Sequence, residues 1–236
     1  MRLGINIDHI ATLRNARGIV HPDPLRSVEI IRRAGGDLIT AHLREDRRHI
    51  RDDDMQRLCE AKILPINMEM AVTDEMRQIA LKLKPHAVCL VPERRQELTT
   101  EGGLDAASGG AVLKDCVSRL QDKGIIVALF VDPDLKQIEA SAKTGAKAIE
   151  LHTGAYANAS GGRQRQEIDR HAAGARAAAG LGLEVHAGHG LNYDNAGAIA
   201  AIPEITELNI GHFLIGEAVF IGLEESVKKM KKIMKK

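Results

Sequence analysis

The stretch LEVHAGHG, residues 183–190, is apolar where it begins and polar, histidine-bearing and glycine-rich where it ends. A short run with that gradient describes a buried parallel strand whose C-terminal end opens onto a site. Working outward, the same gradient recurs in GINIDH (4–9), LITAHLRE (38–45), LPINME (64–69), LFVDP (129–133), AIELHTG (148–154) and LNIGH (208–212). An eighth run, AVCLVPE (87–93), ends in Pro and Glu. Helix-like segments separate all eight. Eight such strands alternating with helices predict a (β/α)8 TIM barrel of the α/β class with extra helices. The polar ends would then gather on its C-terminal face, where such barrels do chemistry.

The chain has 236 residues, close to the roughly 250 of one barrel. No linker rich in Pro or Ser divides it, so residues 1–236 are expected to form one domain. Three Phe, two Tyr and no Trp leave the core to aliphatic residues, which are expected to fill the barrel interior. A net charge of +1 from 33 basic and 32 acidic residues does not suggest a nucleic-acid footprint. Cys59, Cys89 and Cys116 are odd in number and show no CxxC spacing, as reduced thiols in a cytosolic protein would be. Asp8 interrupts any signal-peptide run at the start. The longest apolar run, Ile125 to Val131, is too short to span a bilayer. The expectation is a cytoplasmic protein with no membrane partner.

Strands are expected at Leu3–Ile7, Leu38–Leu43, Leu64–Met68, Ala87–Val91, Ile125–Val131, Ala148–Leu151, Leu183–Ala187 and Glu207–Ile210. A polar loop with Arg14 and Arg17 follows the first strand. A helix then starts at Pro24, capped by Asp23 and stopped by Gly35. Further helices open in the acidic run at Asp52–Asp54 and at Thr73. Others cover Ala111–Lys123, Asp134–Thr144, Gln164–Ala179 and Tyr193–Ala201, then a short one from Phe213. The polar loop after the fourth strand has the length of a lid. The last helix, Leu223–Lys236, reads as a closing helix with a solvated lysine face, in preference to a membrane or RNA surface.

Lysine is absent from every strand end. An imine in this barrel would therefore join two substrates rather than substrate and enzyme. The loops after the seventh and eighth strands, AGHGLN and NIGHFLIGEA, offer Gly188, Gly190, Gly211 and His212 to a phosphate. Arg44 and His49 in HLREDRRHI suggest a second anion site. His42, Glu69 and His189 sit at the ends of strands 2, 3 and 7 as acid/base groups. Glu69 is expected to have its affinity for a proton raised by burial among Met68 and Met70. A metal held by Asp8, His152, His186 and His189 is the weaker reading, because no HxH or HExxH spacing occurs.

The stretches NIDHIATLRNARG, HLREDRRHI, NMEMAVTDEM, LVPERRQELTTEGGLD, IELHTGAYA, AGHGLNY and ELNIGHFLIGEAV together resemble the pyridoxine 5'-phosphate synthase family, nearly end to end and in order. That resemblance implies a barrel with added helices, assembled as a homo-octamer. It implies condensation of 3-amino-2-oxopropyl phosphate with 1-deoxy-D-xylulose 5-phosphate, with no metal and no organic cofactor. Matching motifs make His42 and Glu69 proton acceptors, His189 a proton donor and Glu150 a transition-state stabiliser. They give the amino-ketone phosphate to Asn6, Arg17, Gly190, Gly211 and His212, and the pentulose phosphate to Asp8, His9, Arg44, His49 and Thr99. Nothing carries over to residues 158–167. The competing readings are another phosphosugar barrel, an isomerase or metal-dependent aldolase, and an oligomeric module binding through its Lys-rich C-terminus.

Overall fold

A computed structural model describes residues 1–93 and 102–235. Eight parallel strands pair in chain order and the last closes on the first. They are β1 (Arg2–Asn6), β2 (Leu38–His42), β3 (Ile66–Met70), β4 (Ala87–Leu90), β5 (Ile126–Val131), β6 (Ala148–His152), β7 (Glu184–Gly188) and β8 (Ile205–Ile210). The helices are α1 (Asp8–Arg17), α2 (Leu25–Ala34), α3 (Asp52–Ala61), α4 (Asp74–Leu83), α5 (Gly110–Gln121), α6 (Leu135–Thr144), α7 (Gly154–Ala157), α8 (Gly161–Gly180), α9 (Ala196–Ala200), α10 (His212–Ile221) and α11 (Leu223–Ile233). The expected TIM barrel is therefore present, with two helices instead of one after β1, β6 and β8.

Alternation along each strand decides what faces the middle. Leu3, Ile5, Ile39, Met68, Leu129 and Leu208 point outward and share one buried cluster with Val28, Ile31, Leu58 and Val117 of the helices. Their strand neighbours Asn6, Thr40, His42, Glu69, Glu150, His186, Glu207 and Asn209 point inward. The proof is a set of hydrogen bonds between strands that are not neighbours in the wall, such as β2 to β8 and β6 to β8. Only one side of the interior is apolar, where Cys89, Val91, Ala128, Phe130 and Ala148 form a separate buried group. This corrects the expectation that aliphatic residues fill the barrel: they line its outside, under the helices. It also corrects the surroundings of Glu69, because Met68 and Met70 sit on the opposite face of β3.

Pairing sets the height of each inward group. His42 lies beside Glu69, Glu69 beside Cys89, Glu150 beside His186 and Gly188 beside Asn209. The third strand begins two residues later than expected, since Pro65 has no N–H for the ladder and serves it with its carbonyl, which accepts from Ile39.

The segment expected as a polar loop after β1 is instead the helix α1, ended by Gly18 in the left-handed conformation at φ 64°. Arg14 explains the difference. Its guanidinium is buried and grips the Asp54 carboxylate of α3 through two bonds of 2.5 and 2.7 Å, so the arginine is a packing group and not a loop residue. The helix after β7 is shorter than expected and α8 longer. Among the described residues no helix is long and apolar enough to cross a membrane.

Candidate active site

Closing the barrel brings the C-terminal ends of β1, β2 and β3 together around two carboxyls and an imidazole. Asp8, at the start of α1, accepts the His42 backbone N–H at 2.9 Å and the Asn6 side-chain amide at 3.1 Å. The Asn6 amide also reaches Glu69 Oε2 at 3.3 Å. His42 Nδ1 faces that same Glu69 oxygen at 3.7 Å, and His42 Nε2 bonds Glu93 Oε1 at 2.8 Å. Burial raises the Asp8 carboxyl above its usual range despite the His42 ring beside it. Burial, joined by the charges of Glu150, Asp8 and Glu93, pushes Glu69 well above the usual carboxylate range.

Behind this group lies an arc of imidazoles. His9 packs edge-on to His212 with ring centres 4.7 Å apart, and tilts toward His49 at 6.0 Å. His49 Nδ1 bonds the Thr12 hydroxyl at 2.8 Å. Burial, with the Arg48 and Arg44 charges adding to it, pushes His49 down to about 4. Burial and the neighbouring His212 lower His9 as well, and His9 Nδ1 is enclosed with no hydrogen-bond partner. Arg44 is 4% exposed and ion-pairs with Asp46 at 3.9 Å. A dianion placed beside such an imidazole would favour its protonated form.

The opposite rim carries Glu150, His152 and His189. Asn209 donates to Glu150 Oε2 at 2.8 Å and to Glu207 Oε1 at 3.2 Å, and its own Oδ1 accepts from Thr40 at 2.9 Å. Burial lifts Glu150 to about 7; Glu207 adds to that, while His186 and the Asn209 bond oppose it. His189 is held at φ 83°, a left-handed conformation that is unusual without glycine and clusters at functional sites. The Thr153 hydroxyl secures it by bonds to the Gly188 and His189 carbonyls at 2.7 and 2.5 Å. Burial and then the His152 ring, whose centre is 5.3 Å away, push His189 down to about 4. Gly190 follows at φ 76°, and a Cβ there would stand 2.7 Å from that of Ala157. Gly211 precedes α10, and a Cβ on it would meet the Asn6 side chain at 2.7 Å, so this glycine lets β8 close on β1.

Thus His42, Glu69, Glu150, His189, Asn6, Asp8, His9, Arg44, His49, Gly190, Gly211 and His212 all fall at the C-terminal mouth. Arg17 is exposed at the last turn of α1. Thr99 lies outside the described residues. The metal set weighed from the sequence does not assemble. His186, beside Glu150 in the ladder, is taken up by Glu207 at 3.4 Å and Glu184 at 3.5 Å. Among the described residues, the group of three with ligand atoms within 4.8 Å of one another is Asp8, His42 and Glu69.

Sequence reasoning passed over Glu93 and Asn209. Both carried a signal. Glu93 is the polar exit of the eighth apolar run, and Asn209 stands two residues from both Glu207 and Gly211, hence on the same inward face.

Comparison with known proteins adds the following. Residues 3–236 match the family model described as pyridoxal phosphate biosynthesis protein PdxJ. The chain is 57% identical to the pyridoxine 5'-phosphate synthase of Zymomonas mobilis, over 99% of this chain and 91% of that one. It is 59% identical to the protein of the same name from Gluconobacter oxydans, over 99% of both chains. Among solved structures, 3-keto-L-gulonate-6-phosphate decarboxylase from Vibrio cholerae aligns with a TM-score of 0.65 at 12% identity, covering 99% of this chain and 96% of that one. Phosphoribosyl anthranilate isomerase from Thermus thermophilus aligns at 0.59 and 16%, covering 99% and 98%. Identities that low speak for the barrel and not for its chemistry.

Proposed function

The chain belongs to the PdxJ family of pyridoxal phosphate biosynthesis proteins, and from that premise we propose how its residues divide the work. The reaction is that of a pyridoxine 5'-phosphate synthase. 3-Amino-2-oxopropyl phosphate and 1-deoxy-D-xylulose 5-phosphate condense to pyridoxine 5'-phosphate, inorganic phosphate and water. The observation that carries the assignment of roles is the pairing of a titratable rim, His42, Glu69, Glu150 and His189, with the arc of Arg44, His9, His49 and His212.

The amine of one substrate attacks the ketone of the other. None of the eight strands carries a lysine, in keeping with an imine formed between the substrates. Water leaves the addition product with a proton from Glu69, whose hold on a proton burial strengthens. The resulting carboxylate, with His42, then takes a carbon-bound proton in the enolisation. Phosphate and the neighbouring hydroxyl are eliminated from the pentulose portion, a water adds back to give the hydroxymethyl carbon, the second carbonyl is attacked, and loss of water leaves the aromatic ring. His189 supplies a proton after substrate phosphate has favoured its charged form over the neutral one. Glu150, near neutrality, changes charge with the intermediates and steadies the cationic ones.

Arg44, His49, His9 and Asp8 hold the pentulose phosphate, together with Thr99. Asn6, Gly190, Gly211 and His212 hold the amino-ketone phosphate near the start of α10; Arg17 is assigned to it on the family resemblance alone. No metal or organic cofactor is assigned. The chain assembles as a homo-octamer in the cytoplasm. Self-association is supported by an apolar surface in which Leu13 of α1 and Val219 of α10 line one groove and Phe220 is 82% exposed.

The test is a metal-free incubation with both ketone phosphates, following phosphate release and pyridine absorbance together. Both signals should rise only when both substrates are present, and a chelator should not change them. Silence from folded, assembled protein would favour a phosphosugar isomerase or metal-dependent aldolase.

A further inference from the structure

The bond between His42 and Glu93 assigns more than a contact. Glu93 lies just past β4, and its side chain is 5% exposed. Its Oε1 meets His42 Nε2 at 2.8 Å and its Oε2 accepts the Glu45 backbone N–H at 3.1 Å. Burial alone would raise this carboxyl. The His42 bond and charge, the Glu45 N–H and Arg44 outweigh burial and hold it below its usual range. An ionised carboxylate has no proton to give, so the hydrogen in the bond sits on Nε2. Whenever the ring is uncharged its lone pair is then on Nδ1, the nitrogen that faces Glu69 Oε2 at 3.7 Å. The His42 backbone N–H is held by Asp8 at 2.9 Å, which fixes the main chain from which the ring projects.

We propose that Glu93 is the positioning residue for His42: it selects the Nε2–H tautomer, aims Nδ1 at the reaction and stabilises the imidazolium formed when Nδ1 takes a proton. A carboxylate does this for the base in hydrolytic triads without being protonated itself. The proposal rests on the reading of His42 as proton acceptor. It adds a residue that neither binds a phosphate nor transfers a proton. The proton balance is simple: Nδ1 gains the proton that the substrate carbon loses, Nε2 keeps its own, and Glu93 stays a carboxylate throughout. The same carboxylate also ties the loop after β2 to the end of β4, so the tautomer depends on both loops being in place.

The experiment uses the full, assembled protein in five forms: the parent, Glu93→Gln, Glu93→Ala, His42→Gln and the Glu93→Gln/His42→Gln double variant. Glu93→Gln keeps the shape and an acceptor oxygen but loses the charge, and it should melt within a few degrees of the parent. Its kcat is expected to fall by about 10²- to 10⁴-fold with KM for both substrates little changed. The acidic limb of its kcat profile should move to lower pH. In the double variant the loss should be no greater than in His42→Gln, because Glu93 acts through His42. Nitrogen-15 spectra of the His42 ring should report the Nε2–H tautomer in the parent and a mixture in Glu93→Ala, if that variant folds. Additive losses, or a kcat and pH profile like the parent's in Glu93→Gln, would overturn the proposal while leaving His42 in its role. Full activity in His42→Gln would overturn both.

Discussion

Asn209 of β8 donates to Glu150 of β6 over 2.8 Å, passing above the intervening strand at Gly188. A Cβ on Gly188 would lie 2.2 Å from Glu150 Oε1 and 2.9 Å from the Asn209 carbonyl. The glycine backbone is ordinary strand there, so its role is to leave room and not to supply an unusual conformation.

Gly188→Ala should therefore displace the Glu150 carboxyl and strain β7 against β8. Overpacking of this kind costs about 1–3 kcal/mol, which a denaturant titration would read, and kcat should fall with it. A variant with parent stability and turnover would mean that Glu150 has room the structure does not suggest.

Glu69→Gln should fold and bind both phosphate esters, because the amide can keep the Asn6 contact, and lose about 10²- to 10⁴-fold in kcat. Isothermal titration with each substrate and a steady-state assay separate the two effects. Near-normal turnover would remove Glu69 from proton transfer.

Arg44→Ala should weaken the pentulose phosphate by about 10- to 100-fold, as loss of a charged hydrogen bond of about 1.5–3 kcal/mol does. The amino-ketone phosphate should be far less affected. Equal weakening of both would undo the placing of the two phosphate sites.

Stability without substrate should depend on pH through opposing contributions from Glu150 and from two histidines. Glu150 stands at about 7 against an ordinary value of 4.5, so its favourable protonated state is complete below about 4.5 and is lost as pH rises through about 7. His49 and His189 stand at about 4 against 6.5, so their contribution is present above 6.5 and is lost as pH falls through about 4. The two histidines outweigh the one carboxyl where these windows overlap, so melting temperatures should rise with pH to about 6.5, and Glu150→Gln should make that rise steeper. If the rise is unchanged in Glu150→Gln, Glu150 is not one of the groups that oppose it.

Much of this was legible in the chain. Strand order, the parallel barrel and the polar C-terminal ends follow from apolar runs spaced by helices, since a strand buried on both faces has few other partners. His42, Glu69 and His189 were identifiable because each ends such a run. The loop expected around Arg14 was wrong because local polarity cannot tell a solvated arginine from one that buries its charge against Asp54, forty residues on. The environment of Glu69 was misread because its chain neighbours, Met68 and Met70, point the other way.

By itself, then, the sequence determined the layers and the end of the barrel that carries the chemistry, because periodicity and local composition suffice for those. Only the tertiary structure decided which groups meet: Glu93 with His42, Asn209 with Glu150, and Asp8 with the His42 backbone. Those contacts join strands and loops distant in the chain. They depend on the register at which the barrel closes, and the resulting burial and neighbouring charges move Glu69, Glu150 and His189 away from their ordinary acidities.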